Sequence, residues 1–395
     1  MNCEICEKMY KFLRILMLLI CIGVSCFQLT ICFGKLRDPP TSTHYAYFLN
    51  ESLWYPSVTI CRNPPFKTEL FEKYGFLNSE ITYATTWKRF KYDQYSIQGF
   101  FEEVTYAFNE IVSIAALDEL TENLRVTSYF SLTHGRCFTL SPKRESTRWG
   151  GRYGYYLYLA PDSTNTLNWN GIHVYIHEGN DKLTEKNGVD IFEEHLFVEA
   201  GDSVQVNLKV SRYNQLPNRR KECNSSFDYS KSSCVEEGVN DIISTYVGCQ
   251  VPWVPNEKLP ECNSYKQLMT IVTNSTASTY LQETLRKSNC IRKCKRNIYL
   301  PLLQSIREIE PNAWSLRIYF SSNLISQMDE VIAYDWNTLI ADLGGSLGFL
   351  LGLSVFGSIG LIESAVAKIK GKSIGAICPS AKKDTTATVG LGQDI

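Results

Sequence analysis

Few residues in this chain are of a type and spacing that could do chemistry. It has 395 residues, with fourteen cysteines, five histidines and nearly balanced charge, 40 basic against 41 acidic. His173 and His177 are spaced H-x3-H, which on a helix could hold a metal. The intervening Val174, Tyr175 and Ile176 favour a strand, where the two histidines share a face with no third ligand in view. Cys3 and Cys6 form C-x-x-C, but a zinc site needs a second pair and none is near. No phosphate-binding loop, dinucleotide fingerprint or G-x-S-x-G elbow is present. Ser354, in Gly352-Leu353-Ser354, sits in an apolar run with no base in reach. The residues therefore point to no enzyme, no metal and no cofactor. A net charge of −1 without a basic block also leaves nucleic acid no electrostatic footprint.

The elements that dominate the chain are two uncharged apolar runs, Ile15–Phe33 and Leu343–Ile362. At 1.5 Å per residue, twenty residues span about 30 Å, the thickness of a bilayer's hydrocarbon core. The first run also fits a secretory signal peptide behind Lys8, Lys11 and Arg14. Its length, and the Cys, Phe and Gln before its end, favour a retained span. A buried core helix is the rival reading of the second. That run carries Gly344, Gly345, Gly348, Gly352, Gly357 and Gly360, although glycine costs an aqueous helix up to about 1 kcal/mol relative to alanine. In lipid, helices associate by close approach and not by hydrophobic burial. Gly344, Gly348 and Gly352, each four residues from the next, form two overlapping G-x-x-x-G faces suited to that.

Eight cysteines lie between the runs: Cys61, Cys137, Cys223, Cys234, Cys249, Cys262, Cys290 and Cys294. An even number suits a disulfide framework in an oxidising compartment. The N-x-S/T triplets at Asn50, Asn224 and Asn274 also fall between the runs. Lys368, Lys370 and Lys372 follow the second run while Asp335 and Asp342 precede it, which places the C-terminal tail in the cytosol. Two spans return the N-terminus there too. The expected organisation is a cytosolic tail (1–14), a first span (15–33), an extracellular region (34–338), a second span (339–363) and a cytosolic tail (364–395).

Within the extracellular region, "YPSVTIC", "RYGYYLYLAP", "GIHVYIHEG", "VQVNLKVSRY" and "AWSLRIYF" read as strands. Phe100–Leu120 reads as helical, as do "SYKQLMTIV" and "TYLQETLRK", and the four-residue spacing of Cys290 and Cys294 puts both on one face of a helix.

Four stretches then carry a resemblance: "YPSVTICRN" after the first run, "HGRCFTL" around Cys137, "GIHVYIHEGND", and "ADLGGSLGFLLGLS" from Ala341. Together they resemble the degenerin/epithelial sodium channel family, the amiloride-sensitive sodium channels, and are most like its insect pickpocket branch. The likeness runs from Ile15 to Glu363. It implies a trimeric channel whose subunits each have two transmembrane helices and a large disulfide-rich α+β extracellular domain of palm, finger, knuckle, β-ball and thumb. It also implies the pairs Cys61–Cys137, Cys223–Cys294, Cys234–Cys290 and Cys249–Cys262. Gly352, Leu353 and Ser354 match the family's selectivity filter, with Na+ as the permeant ion. Ala341 and Asp342 match the gate and outer pore, and Gly344, Gly345 and Gly348 pack helices.

Three departures qualify this. The segment before the first run lacks the family's His-Gly pair. Gly360 stands where the family carries a glutamate, with Glu363 nearby. Arg220 stands where acid-sensing members have tryptophan, so proton sensing is not carried over. The expected function is a sodium-permeable, amiloride-type channel subunit of the plasma membrane, a homo- or heterotrimer with related subunits and an unidentified extracellular stimulus. Neither span carries an arginine ladder, so voltage gating is not expected. The alternative is a non-conducting regulatory or trafficking subunit.

Overall fold

The computed structural model describes residues 2–76, 81–160, 169–179, 181, 194–217, 222–275, 287 and 290–351. The chain divides into two compact units, Met1–Thr41 with Ile332–Ile395, and Ser42–Val331.

In the first unit, helix α1 runs from Asn2 to Arg37 without a break. From Asn2 on, the expected tail and the span 15–33 are thus one helix, which continues past Phe33 through Lys35 to Arg37. Ile15–Arg37 is the one helix among the described residues that is long and apolar enough to cross a membrane. The helix of the second run, Trp336–Leu351, enters the predicted span and reaches the end of the described residues at Leu351.

The second unit is built on two sheets. One has the order β4-β5-β2-β7-β8, from β2 (Ser57–Asn63), β4 (Leu124–Ser131), β5 (Gly135–Pro142), β7 (Gly171–His177) and β8 (Glu194–Glu199). The other is centred on β9 (Asp202–Asn214). Strand β12 (Lys295–Glu308) pairs antiparallel along the whole of β9. On the other side of β9, β13 (Trp314–Phe320) and then β14 (Leu324–Ile332) pair parallel to it in succession. Strands β6 (Tyr155–Leu159) and β3 (Ile114–Leu117) extend the sheet beyond β13, and β1 (Thr41–Leu49) lies beside β14.

Alternation explains the core. Val58, Ile60, Ile172, Val174 and Ile176 of the first sheet meet Leu157, Val204, Val206, Leu316 and Ile318 of the second. All ten are less than about one-twentieth exposed, and a buried aliphatic side chain of this kind contributes about 1.5–3 kcal/mol. A second core is aromatic. Phe100 and Phe101 of α2 (Ile97–Val104) gather with Trp87 and Trp253 and with side chains of α4 (Lys231–Val247) and α5 (Tyr265–Ser275). Ser96 caps α2 by accepting from the Gly99 N–H at 2.9 Å, and Ser230 caps α4 in the same way through the Ser233 N–H at 3.1 Å.

Two helical expectations fail. Phe100–Leu120 is not one helix: α2 stops at Val104, a single turn α3 follows (Phe108–Ile111), and the chain then enters β3. Ladder pairing of Ile114–Leu117 with β6 overrides the helical spacing there. Cys290 and Cys294 do not share a helix either; they flank a two-residue strand, β11 (Arg292–Lys293), that pairs parallel with β10 (Cys223–Asn224). The stretch "TYLQETLRK" lies outside the described residues, apart from Lys287. Four disulfides are formed, Cys61–Cys137, Cys223–Cys294, Cys234–Cys290 and Cys249–Cys262, the same four pairs that the resemblance implies.

Candidate functional site on the second hydrophobic helix

Helix α6 (Trp336–Leu351) begins at a built cap. The Asp335 carboxylate accepts from the Thr338 N–H at 2.8 Å and from the Thr338 hydroxyl at 2.7 Å. These bonds, the backbone one foremost, hold Asp335 below its ordinary pKa, and its charge sits where a helix N-terminus favours an anion. Just before the cap, the Ala333 N–H donates to the Pro40 carbonyl at 2.8 Å, tying together the two segments that lead out of the helices.

α6 packs on α1 through one small apolar cluster: Cys32 and Leu36 against Tyr334, Leu339 and Leu343. Tyr334 is the polar hinge of this contact. Its hydroxyl donates to the Asp342 carboxylate at 2.9 Å, and the Lys35 ammonium lies 5.4 Å from its ring centroid.

The expected site residues occupy the other side. At 3.6 residues per turn, Leu339 and Leu343 point one way, while Ala341, Gly344, Gly345 and Gly348 form a stripe on the opposite side of α6. Ala341, Gly344 and Gly345 are exposed, and a Cβ added at Gly344 or Gly345 would meet nothing within 4 Å. Asp342 lies between the two faces, half-buried, and is oriented by Tyr334. Gly352, Leu353 and Ser354, with Gly357, Gly360 and Glu363, lie outside the described residues. A helix with one apolar face on its own chain and one small-residue face left bare can admit a close neighbour or line a narrow passage.

In the second unit, Asn50, Asn224 and Asn274 are all half-buried. Histidine is where sequence reasoning missed most. His177 is buried, with Nε2 2.8 Å from the Thr59 hydroxyl. His173 Nδ1 instead lies 2.9 Å from Nε2 of His195, and the His134 and His173 rings are 5.6 Å apart edge to face. His134 Nε2 is 3.2 Å from the Tyr175 hydroxyl. Burial pushes the His173 pKa down to about 4, helped by repulsion from His134 and His195. Burial also lowers those of His134 and His195. The cluster is therefore held neutral. No group of three or more histidine, cysteine or acidic side chains among the described residues is arranged to hold a metal. Nothing in the spacing of His134 and His195 announced their meeting; the sheet order creates it.

Comparison with known proteins adds the following. The family described as amiloride-sensitive sodium channel (ASC) matches residues 4–364. No curated protein matches the chain. Among solved structures, the cryo-EM structure of a proton-activated chloride channel aligns at 9% identity with a TM-score of 0.32, covering 90% of this chain and 99% of that one. A likeness at that level does not bear on the fold or the function.

Proposed function

This chain belongs to the amiloride-sensitive sodium channel family, and we propose that it is a pore-forming subunit of a sodium-permeable, amiloride-sensitive, non-voltage-gated channel in the plasma membrane. It assembles as a homotrimer or with related subunits, most like those of the insect pickpocket branch. Both termini are cytosolic, and residues 34–338 face outward, bearing glycans at Asn50, Asn224 and Asn274.

The observation that carries this reading is the division of α6 into two faces. Leu339 and Leu343 are used up on α1, while Ala341, Gly344 and Gly345 are left exposed among the described residues, with the half-buried Gly348 continuing the same stripe. Three such faces meeting on an axis would enclose a passage. Ala341 then sits at its narrow outer part, and Asp342, steadied by Tyr334, draws cations to the mouth. Further along the same span, Gly352-Leu353-Ser354 supplies backbone carbonyls to replace part of the hydration shell of Na+.

The second reading, a non-conducting regulatory subunit, is favoured by Gly360 standing where the family carries an acid. Expression of the chain alone and with related subunits, with surface delivery confirmed, separates the two. The proposal expects an inward current that depends on external sodium and is blocked by amiloride. If every combination conducts identically with and without this chain, it forms no pore.

A further inference from the structure

A cavity of about 320 Å3 opens in the unit Ser42–Val331, lined by residues from both sheets and from the β10–β11 region. That is within the usual size range of small-molecule sites, about 300–1,000 Å3. Its floor is fixed: the Ser57 and Ser141 hydroxyls are 2.8 Å apart, and the Tyr299 hydroxyl donates to the Trp54 carbonyl at 3.1 Å. Its walls combine two kinds of surface. Trp54 and Phe227 line it as residues 38% and 75% exposed, and covering apolar area of that kind would be favourable. The charged lining consists of Arg125, Lys143 and Lys293 against the single acid Glu178.

That acid is already engaged, since Lys293 Nζ lies 3.4 Å from its carboxylate and both side chains are largely buried. Arg125 and Lys143 remain at the cavity without a carboxylate partner among the described residues. We propose that this cavity binds a small organic anion, with its acidic headgroup on Arg125 and Lys143 and an aromatic or apolar body against Trp54 and Phe227. A guanidinium and an ammonium converging on one carboxylate or sulfonate form charge-assisted hydrogen bonds. The rings exclude water around the body of the ligand. An inorganic phosphate would use only half of the site, and a cation would face a positive excess.

The position gives such a ligand leverage. Ser57 and Ser141 belong to the five-stranded sheet, Tyr299 to the sheet centred on β9. Phe227 and Lys293 lie in the segments tied by Cys223–Cys294. One occupant would touch all three and stabilise their arrangement. The inference is independent of conduction, and its readout is binding alone.

The test uses the full chain in lipid nanodiscs, with naphthoate as the probe and naphthylmethanol as its neutral analogue. Naphthoate should bind saturably above the level of protein-free nanodiscs. Binding should be roughly tenfold or more weaker for naphthylmethanol and for the double variant Arg125→Gln/Lys143→Gln, as expected for loss of a charged hydrogen-bond partner. The charge-keeping swap Arg125→Lys/Lys143→Arg should retain it, which separates loss of charge from loss of fold. Naphthoate binding no greater than in empty nanodiscs, equal binding of both probes, or a folded double glutamine variant that binds as well as the parent would overturn the proposal.

Discussion

Glycine is used in opposite ways in the two units. At the starts of β6 and β7, Gly154 and Gly171 have φ of +89° and +150°, and an added Cβ would run into the carbonyl oxygens of Ile318 and Val198 on the neighbouring strands. Those glycines are explained inside one chain: backbone passes too close for any side chain. On α6, Gly344 and Gly345 lie in regular helix and an added Cβ touches nothing. Nothing among the described residues requires them to be small. A glycine with an internal reason reports on the fold, while one without reports on what comes against it from outside. In a membrane that is another helix, a lipid or a water-filled path.

The strongest way to break this contrast is Gly154→Ala. Left-handed backbone costs a non-glycine residue about 1–2 kcal/mol and overpacking about 1–3. A loss of about 2–5 kcal/mol is therefore expected, read as a lowered denaturation midpoint of the full chain or as failure to reach the cell surface. Parental stability in this variant would mean that the close approach at Ile318 is not a constraint.

A smaller effect sharpens the contrast through the histidine cluster, which is likewise built wholly within the second unit. With the His173 pKa lowered to about 4 and an unfolded value of about 6.5, the unfolded chain binds more protons between those pH values. Stability is therefore full above about pH 6.5 and falls as pH drops through that window. His134 and His195 shift in the same direction. His173→Gln should flatten the fall in thermal midpoint between neutral and acid pH. An equally steep profile in the variant would show that the cluster does not carry it.

The smallest expected effect on the chain's own stability is at Gly344 and Gly345. Alanine there meets no atom and gains helix propensity, so folding should change by no more than about 1 kcal/mol. Association should weaken instead, seen as less cross-linked oligomer at equal expression. Unchanged oligomer yield would remove the external partner from the explanation.

How much of this was legible in the sequence depends on how local each signal is. "VQVNLKVSRY" alternates, and β9 places Val204, Val206, Leu208 and Val210 inward as that alternation requires. The apolar runs were equally plain: α1 covers the first, and α6 covers the second as far as the described residues reach, at Leu351. Ile114–Leu117 was misread because its pairing with β6, some forty residues away, decides its state. Cys290 and Cys294 misled for a related reason: four residues make a helical turn, but here they bracket a short parallel ladder to Cys223–Asn224. Eight cysteines allow 105 pairings, so the four disulfides came from the resemblance and not from spacing. The meeting of His134, His173 and His195 needs the order β4-β5-β2-β7-β8, which no local pattern contains. The bare face of α6 was half legible. The G-x-x-x-G spacing marked it, but that Leu339 and Leu343 occupy the other side emerges only when α1 is in place.

The central claim, that the small-residue face of α6 surrounds a conducting path, is tested most directly at Ala341. The measurement is resting sodium current from Ala341→Val and the parent, alone and with related subunits, at matched surface density. Three added side chains at the narrow part would disfavour the closed packing. If the strain amounts to about 1.4 kcal/mol, the open-to-closed ratio rises about tenfold, and resting current rises with it. A resting current unchanged by Ala341→Val in every conducting combination would contradict the account and place α6 away from the pore.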